Sequence, residues 1–319
     1  MAKITTTKTK QPRRKKDKYY TEVLTDSVVF FGLAHELERM VVDCELGDTR
    51  RTVFVEPCAG GGAMAVSLQK ILTRIEDRLD RTDFNFKKLP VRLVSYDIEP
   101  TGPGIITQDL WRLTPEQVLM DAGLAKTDLR KIVFYSNPPF QIIPNPPVPE
   151  HVKKKTVNVM AALDELLFKL AQFDRDMAID LHDNHGQIRN EPSSINMLLR
   201  LTQLELTEKA IVMNSLLERL CVLKRISFTG DGHNDMATTA WFGWNTVWLQ
   251  QLWDELMKDV RLPDGTSEAD VLRSQWEKFS KTWHSTATVG LMTPFIHPDR
   301  FVNFDLDKEI DIILGISND

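Results

Sequence analysis

Short apolar runs alternate with amphipathic segments through the first half of the chain. Residues 19–41 predict a turn and then a helix, with apolar residues near helical spacing at Val28, Phe31, Leu33 and Leu37. Four further runs predict strands: TVFV at 52–55, VRLVSYD at 91–97, a short unit in GIITQDL at 104–110, and KIVFYS at 131–136. A helix is expected at 63–75, after the first of these strands. Strands that alternate with helices predict an α/β fold with a doubly wound, mostly parallel sheet and right-handed crossovers.

The second half of the chain has a less regular pattern. Residues 157–173 have helical spacing, 177–181 (MAIDL) resemble a strand, and 193–220 are predicted to be mostly helical. Residues 225–244 predict a β-hairpin, because two strand-like runs flank a Gly-Asp-Gly turn. Two helices are expected at 248–260 and 269–283, within a helical C-terminal extension of 251–319. Residues 293–315 give no clear prediction.

Composition places the chain among ordinary globular proteins. It has 319 residues, of which 42% are hydrophobic and 27% are charged, so it can bury a sizeable core. Its three cysteines form no CxxC pair, which is typical of a reducing cytosol. No apolar run approaches the roughly 18 residues of a membrane span, and no signal peptide opens the sequence. We therefore expect a cytoplasmic protein without membrane association.

Charge is distributed unevenly along the chain. Residues 1–18 carry eight Lys/Arg and one Asp, although the whole chain has a net charge of -5. This segment has almost no apolar residues, so it is expected to be a disordered basic arm. The arm could serve solubility or localisation, or it could contact nucleic-acid phosphates without sequence preference.

Four predicted strand ends carry polar or glycine-rich motifs. They are EPCAGGGA at Glu56–Ala63, YDIE at Tyr96–Glu99, QD at Gln108–Asp109 and NPPF at Asn137–Phe140. The carboxyl ends of parallel strands form one ligand crevice, so these motifs should lie together. The glycine turn is not the GxGxxG fingerprint and lacks the Lys-Ser/Thr of a P-loop, which argues against nicotinamide and ATP as ligands.

The tetrapeptide Asn-Pro-Pro-X occurs twice, and the two copies differ in context. NPPF follows the apolar run of a predicted strand, and its prolines hold the backbone extended and remove two N–H donors. Asn137 offers an amide acceptor and Phe140 an aromatic face, which suits a planar ring with an amino group. NPPV at Asn145–Val148 follows no strand and lies among further prolines, so it is interpreted as a polyproline-II linker.

Taken together, these motifs resemble the S-adenosylmethionine-dependent amino-methyltransferases, and in particular the DNA adenine-N6 methyltransferases. The resemblance covers roughly residues 19–248. It includes YYT at Tyr19–Thr21, similar to the family's N-terminal cofactor motif, and ATTAWFGW at Ala237–Trp244, similar to its late motif near the target base. It implies a Rossmann-like methyltransferase domain at 19–250.

The resemblance also implies residue roles. Catalysis would fall to the first Asn-Pro-Pro motif: Asn137, Pro138, Pro139 and Phe140. Asp97 would hold the ribose, with Glu99 as a possible substitute, Asp109 would bind the cofactor's adenine amine, and Glu56 and Gly60 would lie beside its methionine part. The full set of expected cofactor-binding residues is Tyr20, Thr21, Glu56, Pro57, Ala59, Gly60, Gly62, Asp97, Ile98 and Asp109. Phe140 would stack on an adenine that has left the helix.

Several other residues admit two interpretations. Trp241 could stack on a nucleobase, whereas Phe242 is expected in the core; Lys224 and Arg225 could contact phosphate or simply be solvated. Cys58 is interpreted as a small packing residue, since no histidine lies near it in sequence. His182 and His185 have a spacing that could suit a metal, but a third ligand at a standard spacing is lacking, so we expect no metal site.

The expected partner is DNA, duplex or single-stranded. The same NPPF chemistry could instead act on RNA adenine or on the amide of a protein glutamine. A methyltransferase-like protein that binds nucleic acid without catalysis is the alternative from another class.

Overall fold

The computed structural model describes residues 15–138, 159–185, 191–200, 217–223, 239–258, 260–262, 265–268, 270–275 and 303–316. Its helices are α1 (Lys15–Glu45), α2 (Ala63–Leu79), α3 (Pro115–Ala122), α4 (Val159–His185), α5 (Thr246–Met257) and α6 (Leu306–Ile313). Its strands are β1 (Arg51–Glu56), β2 (Val91–Asp97), β3 (Ile106–Thr107), β4 (Leu129–Ser136), β5 (Ser194–Arg200), β6 (Leu217–Leu223) and β7 (Thr239–Asn245). Within these ranges no helix is long and apolar enough to cross a membrane.

The strands form one seven-stranded sheet in the order β3-β2-β1-β4-β5-β7-β6. Strands β3, β2, β1, β4 and β5 pair in parallel, and β7 pairs antiparallel with both β5 and β6. The order reverses between β1 and β4, which therefore flank the switch point of the sheet. The predicted doubly wound, mostly parallel sheet is confirmed.

Helices cover both faces of the sheet. Because successive side chains of a strand point to opposite faces, each central strand contributes residues to two cores. In β4, Ile132 and Phe134 join a core with α3, α4 and α5, whereas Val133 and Tyr135 join a core with α1, α2 and α6. All four side chains are buried. A strand buried on both faces is a continuous apolar run, and IVFY was recognisable as a strand because the run is short and is soon followed by Pro138 and Pro139.

Two predictions for the second half of the chain were wrong, and a third placed its first strand too late. Residues 177–181 continue helix α4, and the predicted helical stretch 193–220 contains β5 and the first residues of β6. The late antiparallel pair is present, but its first strand is Leu217–Leu223, earlier than the predicted hairpin began. The Gly-Asp-Gly turn lies outside the described residues. Short apolar runs do not distinguish buried strands from helix segments by periodicity.

The ends of the chain also depart from the prediction. Helix α1 begins at Lys15, so the last four residues of the predicted disordered arm are helical, as are Tyr19–Thr21, where a turn was expected. Helix α6 packs against α1 and α2, where Ile310 is buried in the core on that face of the sheet and Arg78 of α2 pairs with Asp311. The segment that gave no clear prediction thus supplies a helix to the main core. A boundary at residue 251 stays a prediction.

Trp241 lies in this core and not at a surface that could stack on a base. Its side chain is 3% exposed, and its indole N–H donates to the Val28 carbonyl of α1 at 2.9 Å. A Cβ added at Gly32 would lie 2.3 Å from the indole ring. Gly32 therefore allows the ring to lie directly on the helix backbone. The predicted base-stacking role of Trp241 is corrected, whereas Phe242 is buried as expected.

Replacing Gly32 with alanine tests this close approach. Helix propensity alone favours alanine by about 1 kcal/mol, but the added methyl must displace a buried, hydrogen-bonded ring. We expect Gly32→Ala to lower the free energy of unfolding by about 1–3 kcal/mol, measured by urea denaturation. Glu38→Ala, at an exposed position of the same helix, is the control. A stabilised Gly32→Ala protein would contradict the packing.

Candidate functional site

A glycine turn joins β1 to α2 at the switch point of the sheet. Gly60 and Gly62 have φ angles of 54° and 78°, which residues with a Cβ rarely adopt. Gly62 is the N-cap of α2 and no side chain caps the helix. The Ala59 N–H donates to the Tyr96 carbonyl at 2.9 Å, which ties the turn to the end of β2.

Asp97 ends β2 and holds the glycine turn through its carboxylate. Oδ2 accepts the Gly60 N–H at 2.6 Å, and Oδ1 accepts the Glu99 N–H at 2.9 Å. The Thr101 N–H in turn donates to the Gly60 carbonyl at 3.0 Å. Each carboxylate oxygen has a second lone pair, so Asp97 can still accept a ligand hydroxyl.

The loop after β2 lies directly on the glycine turn. A Cβ added at Gly102 would lie 2.5 Å from the Gly61 carbonyl oxygen. Since that neighbour is backbone and not a flexible side chain, a larger residue at 102 would displace the turn. Sequence reasoning missed Gly102, whose only signal is its place in a Gly-Pro-Gly stretch.

Asp109 follows β3 at the same edge of the sheet. The Gln108 N–H donates to the Asp97 carbonyl at 2.9 Å, which places these strand ends side by side. Asp109 Oδ1 accepts the Trp111 N–H at 3.0 Å and caps a short 3₁₀ turn at Leu110–Arg112. Its Oδ2 is buried and has no hydrogen-bond partner in the described segments. Such an oxygen is available to a ligand's hydrogen-bond donor.

Glu56, the last residue of β1, is 2% exposed. Burial raises the pKa of its carboxyl to about 8; a hydrogen bond from the Ala65 backbone opposes this shift, and the charge of Asp97 adds to it. Oε2 is buried and finds no partner among the residues that the structure describes. Glu56 is therefore protonated near neutral pH, and a ligand with a cationic or donor group would favour its ionised form.

Asn137 and Pro138 follow β4, which lies next to β1 in the sheet. Asn137 Oδ1 is buried, and no described residue donates a hydrogen bond to it. Pro139 and Phe140 lie outside the described residues. The structure thus brings the first half of the NPPF motif to the same edge as the glycine turn, Asp97 and Asp109.

Of the remaining residues predicted to bind cofactor or substrate, some lie at this edge of the sheet and others have side chains outside the described part of the structure. Ile98 is 60% exposed beside Asp97, where it could cover a planar ring. Tyr20 and Thr21 belong to α1, but their side chains lie outside the description, as do Lys224 and Arg225 altogether. Pro57 and Ala59 lie between Glu56 and Gly60, at the start of the glycine turn.

The environment of Cys58 agrees with the packing role expected from the sequence. Burial, and then the charge of Asp97, raises the pKa of the Cys58 thiol to about 12, so it stays protonated and suits a packing role. His182 and His185 lie in α4, but their side chains are not described. No group of three or more potential metal ligands occurs among the side chains that are described.

Comparison with known proteins finds similar solved structures but no matching sequence family. No family model and no curated protein matches the chain. A solved structure from Listeria monocytogenes, provisionally assigned as a class I S-adenosylmethionine-dependent methyltransferase, matches with 12% identity and a TM-score of 0.35. The match covers 82% of this chain and 71% of that one.

The raised pKa of Glu56 predicts a pH effect on stability. Between the ordinary value near 4.5 and the folded value of about 8, the folded protein holds a proton that the unfolded chain has lost. The native carboxyl therefore makes the wild-type protein less stable as pH rises through this window. Glu56→Gln removes that titration, so its free energy of unfolding relative to wild type should increase from pH 5 to pH 8 by an amount on the order of a few kcal/mol.

Urea denaturation at several pH values measures this difference. Glu116→Gln, at an exposed position of α3, controls for the loss of a carboxylate elsewhere. A Glu56→Gln difference that is constant with pH would show that Glu56 is ionised in the fold throughout the range.

Proposed function

We propose that this protein transfers a methyl group from S-adenosylmethionine to the N6 amino group of adenine in DNA. The observation that carries the proposal is the position of Asn137. Its Oδ1 is buried and receives no hydrogen bond from any described residue, and Asn137 follows β4 at the switch point, beside the β1 turn and the acids that end β2 and β3. Ligands of doubly wound sheets bind outside the strand ends at that point.

The acceptors at the strand ends fit the donors of S-adenosylmethionine. That molecule offers an amino group, ribose hydroxyls and an adenine amine, all of which donate hydrogen bonds. Glu56 Oε2 and Asp109 Oδ2 are buried acceptors for which the described residues provide no donor. Each carboxylate oxygen of Asp97 can accept one more hydrogen bond. Glu56 would hold the amino group, Asp97 the ribose and Asp109 the adenine amine.

Bound cofactor would supply an electrophilic methyl group, whose bond to the sulfonium sulfur breaks as its bond to the acceptor nitrogen forms and leaves a neutral thioether. The residues of this chain bind and orient the acceptor. An aromatic amine is a weak nucleophile because its lone pair is delocalised into the ring. Asn137 Oδ1 accepts one of its N–H hydrogens, and the Pro138 carbonyl accepts the other, which localises the lone pair on nitrogen. This is positioning and electrostatic stabilisation, and the methylated amine then releases one proton to solvent.

DNA as the substrate is supported by the charge distribution of the chain. The arm at residues 1–18 carries eight Lys/Arg and one Asp, although the whole chain is acidic with a net charge of -5. An acidic domain repels phosphates, so a basic arm favours a polyanionic substrate. Five of these basic residues precede α1.

Asn137→Ala tests the assigned chemistry. With labelled S-adenosylmethionine, we expect the wild-type protein to place label in N6-methyladenine of DNA, identified after digestion by mass spectrometry. Loss of the amide acceptor should lower the turnover rate by at least about 100-fold. Cofactor affinity measured by calorimetry should remain within about threefold, because binding rests on other strand ends.

Asn137→Asp is the matched control, since it keeps an acceptor oxygen at the same position and should retain measurable transfer. RNA and a protein extract are offered in parallel with duplex and single-stranded DNA. Label in RNA adenine or in glutamine would overturn the substrate and keep the chemistry. Cofactor binding without transfer to any of them would favour a non-catalytic nucleic-acid-binding protein, and undiminished turnover of Asn137→Ala would refute the role of Asn137.

A further inference from the structure

Lys169 of α4 holds the segment that carries Asp109. Its Nζ donates to the Trp111 carbonyl at 2.7 Å and to the Leu113 carbonyl at 3.2 Å. Both carbonyls belong to the turn that Asp109 caps at its other end. The contacts join residues 58 and 56 positions apart, so no local sequence pattern reports them.

The turn is fixed at both ends. At its start, Asp109 Oδ1 accepts the Trp111 N–H, and the Asp109 carbonyl accepts the N–H groups of Arg112 and Leu113 at 2.9 and 3.1 Å. At its end, the ammonium of Lys169 satisfies carbonyls that point out of the turn. Trp111 and Leu113 are buried, so the side chains anchor the same segment.

Burial and neighbouring charges act in opposite directions on the Lys169 ammonium, and its pKa is lowered overall. Burial lowers its pKa, whereas the negative charge of Glu165, one helical turn earlier, raises it. Arg273 opposes the ammonium, and the charges of Asp109 and Glu116 favour it. Asp109 is thus close enough to act on Lys169 through charge, although the direct hydrogen bonds of Lys169 go to the backbone of the turn.

We propose that Lys169 is a positioning residue that sets the orientation of Asp109, and that the protein thereby selects a 6-aminopurine over a 6-oxopurine in the nucleoside part of its cofactor. The inference rests on the proposed function, since it deepens the role of Asp109 at that site. It names Lys169 as a residue that acts through the turn and does not touch the ligand.

The chemical basis is the match between donor and acceptor at Asp109 Oδ2. A 6-amino group donates a hydrogen to this buried oxygen. A 6-oxo group presents an acceptor instead, which leaves two oxygens facing one another without a hydrogen between them. Sites built to pair a ligand N–H reject analogues that lack it far more strongly than apolar pockets reject a change in size. The rejection depends on the carboxylate being held in place.

The test compares two ligands that differ only at this position. Calorimetry measures the affinity of wild-type protein for S-adenosylhomocysteine and for S-inosylhomocysteine, and we expect a preference of about 10- to 100-fold for the adenosyl compound. Lys169→Met removes the ammonium and keeps an apolar side chain of similar length. It should reduce this preference by about fivefold or more. Lys169→Arg retains a donor and should restore most of the preference.

Lys87→Met is the matched control. The Lys87 ammonium also donates to two backbone carbonyls at the end of a helix, those of Leu79 and Thr82, at 2.8 and 2.6 Å. Helix α2 ends there, opposite the end that follows the glycine turn. Its loss should change stability to a similar degree and leave the ligand preference at the wild-type value.

The outcomes separate the two claims. An unchanged preference in Lys169→Met, with the wild-type protein discriminating, would overturn the role of Lys169 and leave the proposed cofactor intact. Wild-type protein that binds neither compound would overturn both. Should Lys169→Met fail to fold, Lys169→Leu serves as the second variant without a donor, and the same ratio decides.

Discussion

The hydrogen bond from the Gly60 N–H to the Asp97 carboxylate joins the two strand ends on which the proposed site depends. It fixes a turn in which Gly60 and Gly62 adopt left-handed φ angles, and so places the first turn of α2 and the end of β2 in one unit. The bond from Thr101 to the Gly60 carbonyl and the close approach of Gly102 extend that unit into the loop after β2. A ligand binding at the switch point therefore meets a preorganised backbone, and not one that must order on binding.

The two ends of β4 use buried polar groups in different ways. At its start, Lys131 donates to Glu36 at 2.5 Å, and Ser194 donates to the other oxygen of the same carboxylate at 2.8 Å. Such charges are paired with one another, which is how a fold tolerates them. At the opposite end of the sheet, Glu56, Asp109 and Asn137 each present a buried oxygen for which the described residues provide no donor. Buried acceptors without donors in a native fold require an explanation, and a bound ligand supplies one.

The sequence predicted the first half of the fold because each of its signals was local. The strands β1, β2 and β4 are apolar runs that end in glycine, acid or proline, and Glu56, Asp97 and Asn137 could be placed from those endings. Strand β5 was missed because a strand covered on both faces shows no alternation to separate it from a helix. Trp241 was misjudged because its partner, Gly32, lies far away in sequence, and Lys169 was missed because it binds backbone carbonyls. Long-range packing and side-chain contacts to the backbone produce no periodic pattern in the amino-acid sequence.

The central claim is that the carboxyl edge around the β1–β4 switch point binds S-adenosylmethionine, and a crystal structure of the complex with S-adenosylhomocysteine tests it most directly. The account predicts the ligand across the glycine turn, with its amino group at Glu56 Oε2, its ribose at Asp97 and its adenine amine at Asp109 Oδ2. Ligand found at another place, or those oxygens still without donors beside bound ligand, would contradict it.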